Sequence, residues 1–264
     1  MSYIEFAKEV FDIESKAISG LSNLLDDNFT ESVECILGCK GRIIVCGMGK
    51  SGIIGKKIMA TFASTGTPSF FMHPGEAYHG DLGMVTRDDV FLALSNSGET
   101  EELVKLLPFL KNNQNTVISM TGNVNSTLAR ASHFHLNIKV YAEACPLQLA
   151  PTASTTATLA MGDALAVTLM RVRKFQPENF AKFHPGGSLG RRLLHRVENE
   201  MQCDSLPFVS QDAGILDLIR AMTESGLGLC LIDDKERGVI TDGDIRRAIE
   251  LYGEALFSMR AEEI

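Results

Sequence analysis

The sequence predicts an α/β protein in which a five-stranded parallel sheet lies between two layers of helices, followed by a small α+β module. Two observations predict this three-layer sandwich. Apolar or β-branched runs are mostly followed by stretches of helical periodicity, near residues 51–64, 99–111, 126–131 and 152–173. The runs are apolar throughout rather than alternating, which is typical of parallel strands buried on both faces. The five predicted strands are Arg42–Cys46, Ser69–Met72, Val90–Leu94, Thr116–Met120 and Phe134–Val140.

The sequence also predicts an N-terminal helix and a separate C-terminal module. Apolar residues at helical spacing predict a helix over residues 3–25 with one buried stripe. The character of the sequence changes near Met201, so we predict a large domain over residues 1–200 and a module over residues 201–264. In the module, the pattern predicts a strand, a helix over Gly214–Ser225, two short strands (Leu229–Ile232 and Gly238–Ile240) and a closing helix from Asp242.

Composition and charge exclude several classes of protein. The chain has 264 residues, of which 45% are hydrophobic and 22% charged, as expected of a globular protein with one large and one small domain. No run of eighteen apolar residues and no basic, apolar leader is present, so we expect neither a membrane span nor a secretion signal. The six cysteines form no C-x-x-C pair, which predicts reduced thiols in a cytoplasmic protein. Residues 201–264 carry thirteen acids against six bases, which argues against a nucleic-acid partner.

A glycine-rich turn follows the first predicted strand. Gly47-Met48-Gly49-Lys50-Ser51-Gly52 satisfies the G-x-G-x-x-G pattern of dinucleotide-binding turns. However, the second strand ends in Met72-His73-Pro74-Gly75, without the carboxylate that would hold a ribose hydroxyl. Lys50 and Ser51 also place a cation and a hydroxyl in the turn, where a bound pyrophosphate would need to approach the backbone closely. A Walker A loop is excluded because Ile44 stands where its first glycine is required. A dinucleotide site therefore remains only the less favoured alternative.

The third predicted strand leads into Ser95-Asn96-Ser97-Gly98-Glu99-Thr100 and then into an acidic helix start. Short polar side chains and backbone N–H groups at a helix N-terminus suit a phosphate monoester. The alternative is simple N-capping by Ser97 or Thr100. Capping needs one such residue, so the cluster favours a phosphate site. The carboxyl ends of parallel strands are also where open α/β sheets bind ligands.

These two loops resemble those of the sugar isomerase (SIS) domain. A longer match is with the D-arabinose 5-phosphate isomerase branch of that family. Its members interconvert D-ribulose 5-phosphate and D-arabinose 5-phosphate, the precursor of 3-deoxy-D-manno-octulosonate for lipopolysaccharide or capsule. The resemblance implies a five-stranded parallel sheet in a three-layer sandwich and a homotetramer. The further segments that carry it are Ala63-Ser64-Thr65-Gly66-Thr67-Pro68, His73-Pro74-Gly75-Glu76-Ala77, His79-Gly80-Asp81-Leu82-Gly83-Met84, Glu143-Ala144-Cys145-Pro146-Leu147, Ala150-Pro151-Thr152 and His184-Pro185-Gly186-Gly187.

The C-terminal module resembles a CBS motif. Gly238-Val239-Ile240-Thr241-Asp242-Gly243-Asp244-Ile245 matches the strand-turn-helix signature of that motif. Family members usually carry two such repeats packed as a pair, and the sequence shows one, with the second repeat absent. We therefore expect no nucleotide cleft between two repeats within one chain.

Aldose–ketose isomerisation moves a proton between C1 and C2 through an enediol, and needs a base, a proton carrier and an oxyanion-stabilising donor. Lys50 lies in a glycine turn at the ligand edge, and the resemblance implies a catalytic role for it. Glu102 is chosen among neighbouring acids by the resemblance alone. Apolar neighbours of Glu143 predict a raised pKa, as a general base requires, although a solvated loop acid is the alternative. His184 suits proton shuttling near neutral pH, and the resemblance implies that it reaches a neighbouring subunit's site.

The predicted substrate contacts are spread over four segments, and the reaction requires neither cofactor nor metal. His73 and His79 are sugar-binding candidates that could also hold an inhibitory zinc ion, although two histidines so far apart are weak evidence for a metal site. The full predicted substrate-binding set is Ser51, Gly66, Thr67, His73, His79, Ser95, Asn96, Ser97 and Thr100.

Two alternative functions remain open at this point. The first is an isomerase of a different phosphosugar, such as a hexose phosphate. The second is a non-catalytic sugar-phosphate sensor on the same domain. A sensor would keep the serine-rich loop yet could lose Lys50, Glu143 and His184, and all three are present. No basic helix-turn-helix module accompanies the domain, which also favours an enzyme.

Overall fold

Five parallel strands form the central sheet, in the order β2-β1-β3-β4-β5. The computed structural model describes residues 2–184, 197–232 and 238–264. The strands are β1 (Ile43–Gly47), β2 (Ser69–Met72), β3 (Val90–Leu94), β4 (Thr116–Thr121) and β5 (Phe134–Asn137). Every residue of β1 and β3 is buried, as expected for strands covered on both faces. The predicted fold class, a three-layer sandwich on a parallel sheet, is confirmed.

Helices cover both faces of this sheet. One apolar cluster joins the sheet to α1 (Tyr3–Leu21), α2 (Asp27–Gly38), α3 (Gly49–Ser64) and α8 (Ala153–Val172). A second cluster joins the opposite face to α4 (Pro74–Ala77), α5 (Glu101–Val104), α6 (Leu107–Asn112) and α7 (Thr127–Ala131). The short helix α9 (Pro177–Phe183) follows α8.

The structure differs locally from the sequence prediction at several places, and the short helices α4 and α9 are among the elements that were not predicted. The helix predicted over residues 99–111 is broken into α5 and α6, because Pro108 has no N–H to donate to the carbonyl of Val104. The last strand ends at Asn137 rather than Val140. Helix α2 was not predicted, although Val33 and Ile36 on it are buried in the core.

The chain divides into two compact units, Met1–Leu194 and His195–Ile264. The second unit contains α10 (Val197–Glu200), β6 (Phe208–Val209), α11 (Ile215–Ser225), β7 (Leu229–Ile232), β8 (Gly238–Thr241) and α12 (Asp242–Tyr252). Strand β7 pairs parallel to β6 and antiparallel to β8, and the unit has its own apolar core. Helix α12 begins with a capping box between Thr241 and Asp244, and the Thr241 hydrogen bonds lower the pKa of Asp244 to about 2.

Within the described ranges, no helix has the length and apolar character needed to cross a membrane. The Pro185-Gly186-Gly187 turn that the sequence placed after His184 lies outside the described residues.

Candidate active site

The first candidate loop connects β1 to α3. Gly49 has a φ of +55°, a conformation that glycine adopts without strain. A Cβ on Gly52 would lie 2.5 Å from the carbonyl oxygen of Gly47, so only glycine allows the helix to start this close to the strand. Lys50 is the second residue of α3, is exposed, and makes no salt bridge with any residue that the structure describes. An unpaired cation therefore stands at the positive end of a 16-residue helix, next to the half-buried Ser51.

The serine-rich loop after β3 lies beside the first loop, because β1 and β3 are neighbours and run parallel. Ser95 is 3% exposed, and its Oγ accepts a hydrogen bond from the N–H of Gly98 at 3.0 Å and pairs with Oγ1 of Thr100 at 2.8 Å. Oγ of Ser97 accepts from the N–H of Glu99 at 3.2 Å, and its residue is exposed. Thr100 is the N-cap residue of α5, yet its side chain makes no capping hydrogen bond. The simple capping alternative is therefore wrong for Thr100.

The loop that follows β4 holds this phosphate-loop candidate (Ser95–Thr100) in place. A Cβ on Gly98, which has a φ of +69°, would lie 2.0 Å from Oγ of Ser126, so the two loops touch. The N–H of Leu128 donates to the carbonyl of Gly98 at 3.1 Å. Oε1 of Glu99 accepts from the N–H of Thr127 at 2.7 Å, and this hydrogen bond lowers the pKa of Glu99. The sequence analysis missed these supporting residues.

The backbone and the side chain of Asn96 lie in different environments. Its backbone carbonyl accepts from the N–H of Gly122 at 2.9 Å, which ties the phosphate-loop candidate to the end of β4. Its side chain is exposed at the edge of the sheet, where a ligand could reach it.

The acidic start of α5 contains two glutamates with different partners. Glu101 forms an ion pair with Lys105, four residues along the helix, and the pairing lowers the pKa of Glu101. Glu102 is half-buried and accepts no hydrogen bond from the described part of the chain. Glu101 is therefore engaged in the helix, whereas Glu102 is available to a ligand.

Glu143 lies beyond the end of β5 and supplies the N-terminal cap of α8. Its Oε2 accepts hydrogen bonds from the N–H of Thr152 at 2.8 Å, from Oγ1 of Thr152 at 3.0 Å and from the N–H of Ser154 at 3.2 Å. Partial burial raises the pKa of Glu143, but the hydrogen bonds from Ser154 and Thr152 outweigh it and leave the pKa below its ordinary value. The sequence analysis predicted a raised pKa, which is wrong because these donors come from the helix that follows the loop.

The two histidines of the candidate set follow β2. His73 is the N-cap residue of α4, and its Nδ1 accepts from the N–H of Gly75 at 3.2 Å. Both His73 and His79 are exposed. Across residues 2–184, 197–232 and 238–264, no three His, Cys, Asp or Glu side chains converge as metal ligands.

Three predicted site residues lie at the opposite edge of the sheet. Gly66 and Thr67 precede β2, and Oγ1 of the buried Thr67 accepts a hydrogen bond from Nη1 of Arg173, directly after α8. A Cβ on Gly66 would lie 2.8 Å from Cε2 of Phe175 and 3.8 Å from Cε2 of Phe183. His184 follows Phe183, and its ring stacks on Phe180 with centroids 4.0 Å apart.

A 20-residue helix separates this edge from Glu143, because the first turn of α8 donates to the carboxylate of Glu143 and its last turn is followed directly by Arg173. That helix is about 30 Å long. Within one chain, the structure therefore brings Lys50, Glu143 and the phosphate-loop candidate to the carboxyl edge and leaves Gly66, Thr67 and His184 at the amino edge.

Comparison with known proteins identifies the family. The SIS domain model matches residues 36–168, and the CBS domain model matches residues 199–251. Arabinose 5-phosphate isomerase KdsD of Escherichia coli K12 is 52% identical over 248 residues, covering 92% of this chain and 76% of the relative. The chain belongs to the arabinose 5-phosphate isomerase family. The KdsD protein of Pseudomonas aeruginosa is 51% identical over 254 residues, covering 95% of this chain and 78% of the relative.

Solved structures support the same family assignment. An Escherichia coli CFT073 protein in complex with a phosphosugar has a TM-score of 0.68 and 43% identity, covering 70% of this chain and 100% of that protein. The sugar isomerase domain of an RpiR transcription factor from Sphaerobacter thermophilus has a TM-score of 0.57 at 18% identity, with 67% and 95% coverage. The second likeness shows the fold alone, so the side chains at the carboxyl edge must decide between isomerase and sensor.

The carboxyl edge combines two kinds of chemistry. Backbone N–H groups, hydroxyls and the Lys50 ammonium form an environment for an anion. Glu143 and Glu102 supply carboxylates that can exchange protons with a bound sugar. An arrangement that only recognised a phosphate would need the first set and not the second.

Proposed function

We propose that this member of the family interconverts D-ribulose 5-phosphate and D-arabinose 5-phosphate through an enediol. The observation that carries the proposal is the joint presence, at one edge of the sheet, of the phosphate-loop candidate, the unpaired Lys50 and the anchored carboxylate of Glu143. The names of relatives about half identical to this chain support the same reaction.

The phosphate of the substrate binds to the loop after β3. Ser97, Thr100 and the side chain of Asn96 donate to the phosphate oxygens, and the internal hydrogen bonds of Ser95 keep the loop in shape before the ligand arrives. His73, His79 and Ser51 contact the sugar hydroxyls from neighbouring loops.

Proton transfer is carried by side chains. Lys50 stabilises the oxyanion that develops on the enediol. Glu143 removes the proton from C2 of the aldose and delivers it to C1 of the enediol, and takes it from C1 back to C2 in the reverse direction, while a second proton moves between O2 and O1. Glu102 is the next candidate for this base. A carboxylate-driven transfer of this kind needs no redox cofactor.

The remaining residues of the site come from a second copy of the chain. Gly66, Thr67 and His184 lie about one helix length from Glu143 within the chain, so they can reach a sugar only in a neighbour's site. A symmetric homo-oligomer, as a tetramer, provides such shared sites. Exposed apolar side chains of α1, including Tyr3, Ile4, Phe6 and Phe11, offer surface for its contacts.

We place the protein in the cytoplasm, where its product supplies 3-deoxy-D-manno-octulosonate synthesis for lipopolysaccharide or capsule. All six cysteines are unpaired, in keeping with a reducing compartment.

The proposal is tested by incubating the purified protein with ribulose 5-phosphate and with a panel of pentose and hexose phosphates. Carbon-13 NMR in heavy water follows both the formation of arabinose 5-phosphate and the entry of deuterium at C2. Lys50→Ala is the matched control and should bind phosphosugar with little turnover. Faster turnover of a hexose phosphate would replace this substrate assignment, and tight binding by the wild type without any isomer would identify a sensor.

A further inference from the structure

The hydroxyl of Thr152 stands between two groups of the loop that carries Glu143. Oγ1 of Thr152 accepts a hydrogen bond from the N–H of Ala144 at 2.8 Å. The same Oγ1 lies 3.0 Å from Oε2 of Glu143. A hydroxyl has one proton to donate. Because Ala144 supplies the proton of the first contact, the hydroxyl proton is free to point at the carboxylate.

The carboxylate of Glu143 is held by only one of its two oxygens. Oε2 receives three donors, from the N–H and hydroxyl of Thr152 and the N–H of Ser154. Oε1 receives no hydrogen bond from the residues that the structure describes. The side chain of Glu143 is half-buried rather than enclosed, and Oε1 is the oxygen of its carboxylate that keeps its capacity to accept from a ligand.

We propose that Thr152 is a positioning residue of the isomerase site, which fixes Oε2 of Glu143 on the first turn of α8 and leaves Oε1 to exchange protons with the sugar. This inference rests on the proposed function, in which Glu143 is the acid/base group. Thr152 itself does not touch the substrate in this arrangement.

The Thr152 hydroxyl is one of several hydrogen-bond donors that set the ionisation of Glu143. Cys145 lies two residues along the same loop, and the carboxylate of Glu14 on α1 accepts from Oγ1 of Thr156 in the first turn of α8 at 2.9 Å. Burial raises the pKa of Glu143, and hydrogen bonds rather than neighbouring cations bring it down. Removing one of these donors should therefore move the pKa upward.

Gln148 offers a matched control within the same loop. Its Oε1 accepts from the backbone N–H of Glu143 at 2.8 Å, and its Nε2 donates to the backbone carbonyl of Glu143 at 2.7 Å. Gln148 thus holds the backbone of Glu143 without contacting the carboxylate. Its loss should loosen the loop and leave the ionisation of Glu143 nearly unchanged.

The experiment compares Thr152→Val, Thr152→Ser and Gln148→Ala. Valine keeps the shape and the backbone N–H of Thr152 and removes the hydroxyl, whereas serine restores it. We expect Thr152→Val to move the acid limb of the kcat–pH profile to higher pH, with Thr152→Ser close to the wild type. Gln148→Ala should lower kcat at all pH values without moving the limb. Equal losses in the valine and serine variants, or an unmoved limb in Thr152→Val, would overturn the proposal.

A second measurement does not depend on turnover. The carboxyl carbon of Glu143 is titrated by NMR in glutamate-labelled protein and assigned by its absence in Glu143→Gln. An upward shift of its pKa in Thr152→Val supports the proposal, and an unchanged pKa contradicts it. If the wild type has no isomerase activity, the proposed function fails while the titration still decides whether Thr152 sets the ionisation of Glu143. Thr152→Ala replaces Thr152→Val should the valine variant not fold.

Discussion

Oε1 of Glu99 accepts a hydrogen bond from the backbone N–H of Thr127 at 2.7 Å, which joins the loop after β3 to the first turn of α7. The contact explains what the carboxylate does without involving a substrate. Glu143 makes a comparable contact with the start of α8, but there one carboxylate oxygen is left available. Both glutamates accept hydrogen bonds from the start of a helix, but we assign an acid/base role only to Glu143.

We expect Glu143→Gln to reduce turnover strongly and Glu99→Gln to leave it nearly unchanged. Glutamine keeps the volume and an acceptor oxygen at each position but cannot titrate. Glu143→Gln should lower kcat by about 10²–10⁴-fold, as expected for loss of a general base. Glu99→Gln should leave kcat nearly unchanged because its acceptor is retained. The measurement is kcat for both variants with folding checked by circular dichroism. A well-folded Glu143→Gln with wild-type kcat would transfer the role of base to Glu102.

Ser97 gives a separate test of phosphate binding. Its hydroxyl is exposed, whereas that of Ser95 is buried and satisfied within the loop. Ser97→Ala should raise KM for the phosphorylated sugar, since a hydrogen bond to a charged group contributes about 1.5–3 kcal/mol. The control is kcat, which should change much less than KM. An unchanged KM would show that the Ser97 hydroxyl does not bind the phosphate and serves only to accept the hydrogen bond from the N–H of Glu99.

The sequence predicted the sheet, and it placed the phosphate-loop candidate at the end of a strand, because both depend on local patterns. Apolar runs such as Val90–Leu94 are buried strands, and the serines that follow sit at the carboxyl end of β3. The break between α5 and α6 has a local signal in the sequence, since Pro108 cannot donate a helical hydrogen bond. The ionisation of Glu143 could not be predicted from its apolar neighbours, because its donors Thr152 and Ser154 come from the next helix.

The position of Gly66 and Thr67 also needed the structure. The sequence placed them in one substrate-binding set with Ser51 and Ser95, whereas the resemblance already implied that His184 reaches a neighbouring subunit's site. Only the course of α8, which begins near Glu143 and ends before Arg173, shows that Gly66 and Thr67 lie at the edge of the sheet opposite Lys50.

Asp89 provides a prediction about stability and pH. Its carboxylate is buried and accepts from the N–H of Arg42 at 2.7 Å, from the N–H of Thr86 at 2.8 Å and from Nη2 of Arg42 at 3.2 Å. Burial raises the pKa of Asp89, but these hydrogen bonds outweigh it, so the folded pKa is lowered. The stabilisation is therefore complete above the unfolded pKa of about 3.9 and is lost as pH falls through the folded value.

We expect Asp89→Asn to lower the free energy of unfolding by about 1.5–3 kcal/mol at pH 7, since it removes a charge from buried hydrogen bonds. The difference from the wild type should shrink below about pH 4, where the wild-type aspartate also becomes protonated. Urea unfolding at several pH values measures both effects. A difference that stays constant down to about pH 3 would show that the charge of Asp89 is not what stabilises the fold.

Activity should survive chelation of metal ions. Enediol chemistry can proceed with acid/base groups and an oxyanion donor, and Nδ1 of His73 is already engaged by the N–H of Gly75. EDTA should leave turnover unchanged, or raise it by removing zinc from His73 or His79. His73→Ala serves as the control, since it should abolish any zinc inhibition. Loss of activity on chelation that a divalent ion restores would contradict the prediction.

The most direct test of a shared site is complementation between inactive variants. Lys50 lies at the carboxyl edge of the sheet and His184 near the amino edge, so a complete site would take one from each of two copies. Lys50→Ala and His184→Ala should each be inactive alone. Co-expressed at equal levels, they should recover up to about a quarter of wild-type activity, because a symmetric assembly then forms some sites with both residues intact.

A mixture of Lys50→Ala with Glu143→Gln is the matched control for this recovery. Both residues lie at the carboxyl edge of the same chain, so every site in that mixture lacks one of them and no activity should return. Mixed assemblies are verified by tagging the two variants differently and purifying on both tags in turn. If doubly tagged Lys50→Ala and His184→Ala assemblies remain inactive, His184 does not complete a neighbour's site. Activity that returns in the Lys50→Ala and His184→Ala mixture but not in the Lys50→Ala and Glu143→Gln mixture would establish that each site draws on two copies of the chain. A conformational change within one chain could not explain this result, because it would affect both mixtures alike.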